Sequence, residues 1–298
     1  MQRYNNFIFY DKVSWFSFFI LILQNNPLYL GFTSFQKSNS MYAFQTLLNK
    51  IQSSKSIDFG DLFNESLGVF KKVWVQGLLL QLFSIVIMLP FIISLYLPYF
   101  TLAVDGGLNQ MLGSTDYSKA LIEEYGASLI WIYLLMFVVS IASSLLYLGF
   151  YRIVKEMDHR NPFVMSDFFY FFKSPILGKA IVLLLAYTGI AILAALLCFF
   201  PLIYAIIPLV FMLPVFAYNS HLSTFEVVKI AFAIGNKKWG ITFLIFMLNM
   251  ILFYVVSLVT CGLGTLFVSC FLYLPQYIIY KKVIGFDAPE SVVQSIDS

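Results

Sequence analysis

The stretch Gly240–Tyr280, GITFLIFMLNMILFYVVSLVTCGLGTLFVSCFLYLPQYIIY, holds 41 residues without one charged side chain. A helix needs about 20 apolar residues to cross a hydrocarbon core. The stretch is therefore too long for one crossing and predicts two, broken at Thr260–Gly264, where TCGLG places two glycines. Ile176–Tyr218 reads the same way: 43 residues with Lys179 as the sole charge, dividing near Phe200 and Pro201. Val75–Phe100 and Leu129–Tyr151 supply one crossing each. The expectation is an all-α polytopic membrane protein with six transmembrane helices.

Composition agrees. The chain is 60% hydrophobic and 11% charged, against about 45–50% and about 25% in soluble domains. The net charge of +3 is too small to suggest a nucleic-acid partner, and the charges gather beside the apolar runs. Cys198, Cys261 and Cys270 show no metal-ligand spacing and read as small buried residues.

The basic residues set the orientation. Seventeen of the 18 fall before the first span, between spans two and three, between four and five, or after the sixth. Only Lys119 lies on the other side, near Asp105, Asp116, Glu123 and Glu124. By the positive-inside rule both termini are cytoplasmic, and the location expected is a bacterial cytoplasmic membrane.

Two junctions share a pattern. NESLGVFKKVWVQG, Asn64–Gly77, and EVVKIAFAIGNKKWG, Glu226–Gly240, each end in two lysines and a tryptophan just before an apolar run. On a helical wheel, Asp61, Asn64, Glu65, Gly68, Lys71 and Lys72 share one arc, and only Ser66 interrupts the apolar side. Glu226, Lys229, Asn236 and Lys237 share a face in the second copy. Such helices are expected to lie in the membrane interface. Lys71, Lys72, Lys237 and Lys238 would then meet anionic head groups at about 1 kcal/mol each. Trp74 and Trp239 would sit at head-group depth. A juxtamembrane lysine–tryptophan pair serves first as an anchor; recognition of a specific ligand is the less common use. Ser223 and Glu226 have capping-box spacing, Asp58 or Asp61 is placed to cap the earlier helix, and Gly77 and Gly240 would let the chain turn into each span. A weaker third copy runs over Met165–Ala180, with Ser166 as its cap. The unit expected is a cytoplasmic interfacial helix followed by a hairpin of two spans, used three times.

At these residues the chain resembles bacterial six-span inner-membrane proteins of uncharacterised function, of the YciC type. That group is similar to the membrane domain of some glycerophosphodiester phosphodiesterases. The resemblance covers about residues 56–284 and rests on the amphipathic helix, the GNKKWG junction and the hairpin spacing. It implies a location and an architecture rather than a reaction, because nothing here could encode the catalytic barrel of those phosphodiesterases.

The membrane domain is expected to span residues 41–284, with a cytoplasmic tail at 285–298. Residues 1–40 join none of these patterns. Val13–Leu23 has the length of a signal-peptide core, but Asp11 and the lack of a small-residue cleavage site weigh against it. The other reading is an over-long gene model with translation from Met41.

Little chemistry is expected. His159 and His221 are the only histidines and both fall in loops. Ser140, Ser143 and Ser144 have no histidine or lysine within a span to activate them, and back-bonding is their ordinary role. No catalytic, cofactor or metal residue is assigned. Gln81, Asn249 and Gln276, with Tyr187 and Thr188, are candidate intramembrane polar contacts, where hydrogen bonds between helices are the usual use. Pro90, Pro98, Pro208, Pro214 and Pro275 are expected to kink their helices. The function expected is a non-enzymatic protein that interacts with anionic lipid or organises the membrane. The alternative is a permease for a neutral or amphipathic small molecule, using the kinked spans.

Overall fold

A computed structural model of the chain describes residues 34–104, 115–173, 176–197 and 200–286. The expectations for residues 13–23, for Cys198 and for most of the C-terminal tail lie outside them. Among the described residues the fold is entirely helical. Helix α1, Ser34–Ser53, crosses the boundary expected at residue 40 and buries Phe44 and Ile51 in the core. Two long helices follow: α2, Phe59–Val104, and α3, Thr115–Asp158. A 3-10 helix, Met165–Phe172, leads to α4, Ile176–Leu196. Next come α5, Phe200–Val210, and α6, Met212–Tyr218. The chain then forms α7, Thr224–Lys237, and α8, Trp239–Val259. It closes with α9, Thr265–Val268, a 3-10 segment, Ser269–Tyr273, and α10, Leu274–Val283.

Among the described residues, five helical stretches are long and apolar enough to cross a membrane: Phe59–Tyr96, Trp131–Asp158, Ile176–Leu196, Pro201–Tyr218 and Trp239–Val259. They point to a membrane location. Large apolar side chains such as Val86, Ile93, Ile251 and Leu258 stand exposed along them, which in water would be unusual for so large a patch. The stretch expected to form the sixth span is helical but built in three pieces, α9 to α10.

Local chemistry explains the breaks. At the end of α8, Cys261 and Gly262 have φ of 50° and 88°. The Gly262 amide donates back to the Ser257 carbonyl at 2.8 Å. This is a Schellman end with a cysteine at the left-handed position usually taken by glycine. The turn leaves Cys261 exposed, in contrast to the burial expected of all three cysteines; Cys270 is buried. Between α5 and α6 the break falls at Phe211, whose amide donates to Pro208 O. Pro208 and Pro214 flank it, as expected of proline in this span. Pro90 and Pro98, by contrast, sit inside an unbroken α2, and Pro275 sits in the first turn of α10, where its missing N–H is tolerated.

The interfacial helices differ from expectation. Asp61–Trp74 is no separate element: α2 continues through Gly77 for 46 residues, about 69 Å if straight. Gly77 is a contact and not a hinge, because a Cβ there would lie 2.2 Å from Cys270 Sγ. The apolar side of this first part is protein core, with Leu62, Val69 and Val73 buried. Ser66 is buried among them because its hydroxyl donates to Leu62 O at 2.7 Å, so its polarity is satisfied within the helix. Asp58, rather than Asp61, caps α2, accepting from the amides of Gly60 and Asp61.

Helix α7 is a separate element. Its capping box is formed: Ser223 Oγ accepts from the Glu226 amide, and Glu226 Oε2 accepts from the Ser223 amide at 2.9 Å. Val227, Ile230, Ala231 and Ile234 are buried against α5, α6 and α1. Its apolar face therefore meets protein. The break before α8 falls at Lys238, two residues ahead of Gly240. The third junction is a 3-10 helix, with Ser166 inside it and Asp167 accepting from the Val164 amide.

Candidate functional site

Several charged side chains of the described helices meet at one rim. Asp158 closes α3 and is the node of this rim. A carboxylate at a helix C-terminus faces the negative end of the dipole, so it needs cations, and two arrive. Lys72 of α2 donates to Oδ1 at 2.8 Å, and Lys281 of α10 donates to Oδ2 at 2.6 Å. Tyr277 adds its hydroxyl to Oδ2 at 2.9 Å. One carboxylate thus ties three helices together. Lys282 pairs with Glu65 at 2.6 Å and ties α10 to α2 a second time.

Aromatic rings fill the adjacent space. Phe286 packs on Tyr218, Tyr277 and Tyr280 and meets His159 edge-on, with Lys155 Nζ 5.1 Å from its centroid. Tyr218 donates to Tyr151 O at 2.8 Å, and Asn219 donates to the Tyr280 hydroxyl. Arg152 lies over the Tyr170 ring at 3.9 Å.

The lysine–tryptophan junctions resolve into different roles. Lys71 is exposed. Lys72 is committed to Asp158. Trp74 is 43% exposed. Lys237 donates to Gln52 O and Lys238 to Lys55 O, so both ammonium groups hold the chain at the end of α1, where the dipole is negative. Lys238 is only 5% exposed, in contrast to the head-group position expected of it. Burial, and then Lys237 beside it, lowers its pKa from the usual lysine value. Trp239 stacks between Tyr204 and Phe243 and donates to Tyr204 O at 3.2 Å.

Among the intramembrane candidates, Asn249 and Gln276 are buried and Gln81 is half-buried. The side-chain carbonyl oxygens of Asn249, Gln276 and Gln76 have no hydrogen-bond donor among the described residues. Gln76 and the Asp158 node were not picked out from the sequence. Gln76 lies at the edge of the first apolar run, and Asp158 is one of three acids, with Glu156 and Asp167, in a basic loop. Its partners are 86 and 123 residues away, so no spacing announces them.

Next to this node lies a groove of about 560 Å³. Its walls come from the end of α1, the linker 54–58, the start of α2 and residues 281–285. Four lysines and two aspartates line it.

No protein-family model, curated protein or solved structure matches the chain.

Proposed function

We propose that the chain is a six-span protein of the bacterial cytoplasmic membrane, with both termini cytoplasmic, that binds anionic lipid at its cytoplasmic rim and catalyses no reaction. The observation that carries this reading is the gathering of basic residues from separate loops at one end of the bundle. Lys72, Lys281, Lys282, Lys237 and Lys238 come from three separate junctions, yet hydrogen bonds and ion pairs join them into one rim with Asp158, Glu65 and the end of α1. Lys71 and Trp74, next to Lys72 in the chain, are exposed. The sixth crossing would run from α9 into α10 as far as Tyr280, just ahead of Lys281 and Lys282, and its 16 residues from Thr265 reach about 24 Å. The likeness to YciC-type proteins belongs to the same proposal, as does the hairpin repeat.

Orientation is testable by cysteine labelling in a background whose native cysteines are alanine. An impermeant maleimide on intact cells is expected to label D116C and spare R160C. Labelling of R160C alone would overturn the topology.

Lipid binding is testable on protein purified in a neutral detergent. Mass spectrometry of the extract is expected to find anionic phospholipid enriched over its share of the source membrane. Lys71→Gln is expected to lower that enrichment by up to about fivefold, since a lysine near an anionic surface is worth about 1 kcal/mol. No enrichment in the parent protein would overturn the reading. A second reading, a permease, is favoured by one observation: the three buried side-chain oxygens of Gln76, Asn249 and Gln276 that lack donors. A donor-bearing polar solute in the same extract would support it, and a solute-free extract would count against it.

A further inference from the structure

We propose that the groove between the α1–α2 linker and the end of α10 is a phosphate-binding site. Its lining is rich in hydrogen-bond donors. Lys50, Lys55, Lys281 and Lys282 face it from three segments. Asp58 and Asp61 also line it, and of the four lysines Lys281 and Lys282 are already paired with acids. The Asp58 carboxylate is engaged by two backbone amides at the start of α2. The acids that pair with Lys281 and Lys282, Asp158 and Glu65, are not among the lining residues. Lys50 is fixed by donating to Ile284 O at 3.0 Å.

The linker supplies what remains free. Lys55 Nζ and the Ser56 hydroxyl have no partner among the described residues, and both side chains are exposed. The backbone amides of Lys55, Ser56 and Ile57 likewise have no acceptor among the described residues. An ammonium, a hydroxyl and successive unpaired amides on one short segment form a set of donors that suits a tetrahedral oxyanion. The linker is held in place from behind, because Lys238 donates to the Lys55 carbonyl. That contact leaves the Lys55 side chain and the linker amides free for a ligand.

Phosphate reaches such a groove either as the head group of an anionic phospholipid or as a soluble phosphate ester. The head-group source rests on the lipid-binding reading above; the soluble source does not. The test uses the full chain in nanodiscs of phosphatidylcholine alone and in nanodiscs containing phosphatidic acid. In the first, inorganic phosphate is titrated by calorimetry; in the second, bound phosphatidic acid is counted by native mass spectrometry. Lys55→Gln with Ser56→Ala removes two donors that hold nothing else, so the melting temperature should stay at the parent value. Lys71→Gln is the comparison outside the groove. The double variant is expected to lose about tenfold in affinity for at least one probe, the worth of a charge-assisted hydrogen bond, while Lys71→Gln leaves inorganic phosphate affinity unchanged.

Loss with phosphatidic acid only assigns the groove to lipid, and loss with inorganic phosphate only assigns it to a soluble ester. If the double variant binds both probes as tightly as the parent, or the parent binds neither, the groove proposal is wrong. Phosphatidic acid retention that falls with Lys71→Gln but not with the double variant would keep the lipid reading and sink the groove alone.

Discussion

Replacing Asp158 by alanine is expected to destabilise the protein by about 2–3 kcal/mol, seen as a fall of several degrees in the melting temperature in detergent. The carboxylate side chain is 6% exposed and receives three donors. A hydrogen bond to a charged group is worth about 1.5–3 kcal/mol, and breaking a buried pair costs about 3–5 kcal/mol. The lower figure applies because Lys72 and Lys281 are 44% and 40% exposed and regain water once freed. Asp158→Asn keeps an acceptor for Tyr277 and should lose less than alanine. High salt should narrow the gap between parent and variant only partly, because screening acts weakly on a buried carboxylate. Equal melting temperatures for parent and alanine variant would show that the three helix ends are held by apolar packing alone.

A larger loss is expected from adding a single methyl group at Gly149. A Cβ there would lie 2.3 Å from Phe168 O and 2.8 Å from Asp167 O. Both are backbone atoms, so no side chain can swing aside. The 3-10 helix that packs on α3 at this point would have to move, and its buried Phe168 and Phe171 would move with it. Overpacking of this kind costs about 3 kcal/mol or more. Gly68→Ala is the counterpart. Gly68 lies on the exposed side of α2 with nothing within 4 Å of a Cβ, so alanine should stabilise by about 0.5–1 kcal/mol through helix propensity. The two substitutions are chemically identical and should differ in sign. Thermal melts of both, and recovery of monodisperse protein for Gly149→Ala, check this. A Gly149→Ala protein as stable as the parent would mean that the close approach between α3 and the 3-10 helix is not needed for the fold.

What was legible in the sequence was whatever depends on local pattern. Five of the six apolar runs marked helices that could cross a membrane, because length and hydropathy alone decide that; the sixth run is helical but in short pieces. The break at Thr260–Gly264 was legible because a turn leaves its glycines on the page, and the capping box at Ser223 because its two partners are three residues apart. The helical wheel of Asp61–Trp74 also sorted buried from exposed correctly at Leu62, Val69 and Val73. It could not say what the buried side meets. An amphipathic helix reads the same whether its apolar face meets lipid or protein, and here it packs on protein.

Tertiary structure alone decided the rest. Nothing near Lys238 in sequence shows that it is buried against the carbonyl of Lys55, which is 183 residues away. A lysine beside a membrane span looks like a head-group anchor until the end of α1 is placed against it. Gly77 read as a loosening point in the sequence, yet it and Gly149 are places where another element comes too close for a side chain. Asp158 was one acid among basic neighbours, and only the meeting of α2, α3 and α10 makes it the carboxylate that holds them. Local periodicity fixes which face of a helix is apolar. Which partner covers that face, and which charge answers which, depends on contacts between residues far apart in the chain, and those are set by packing.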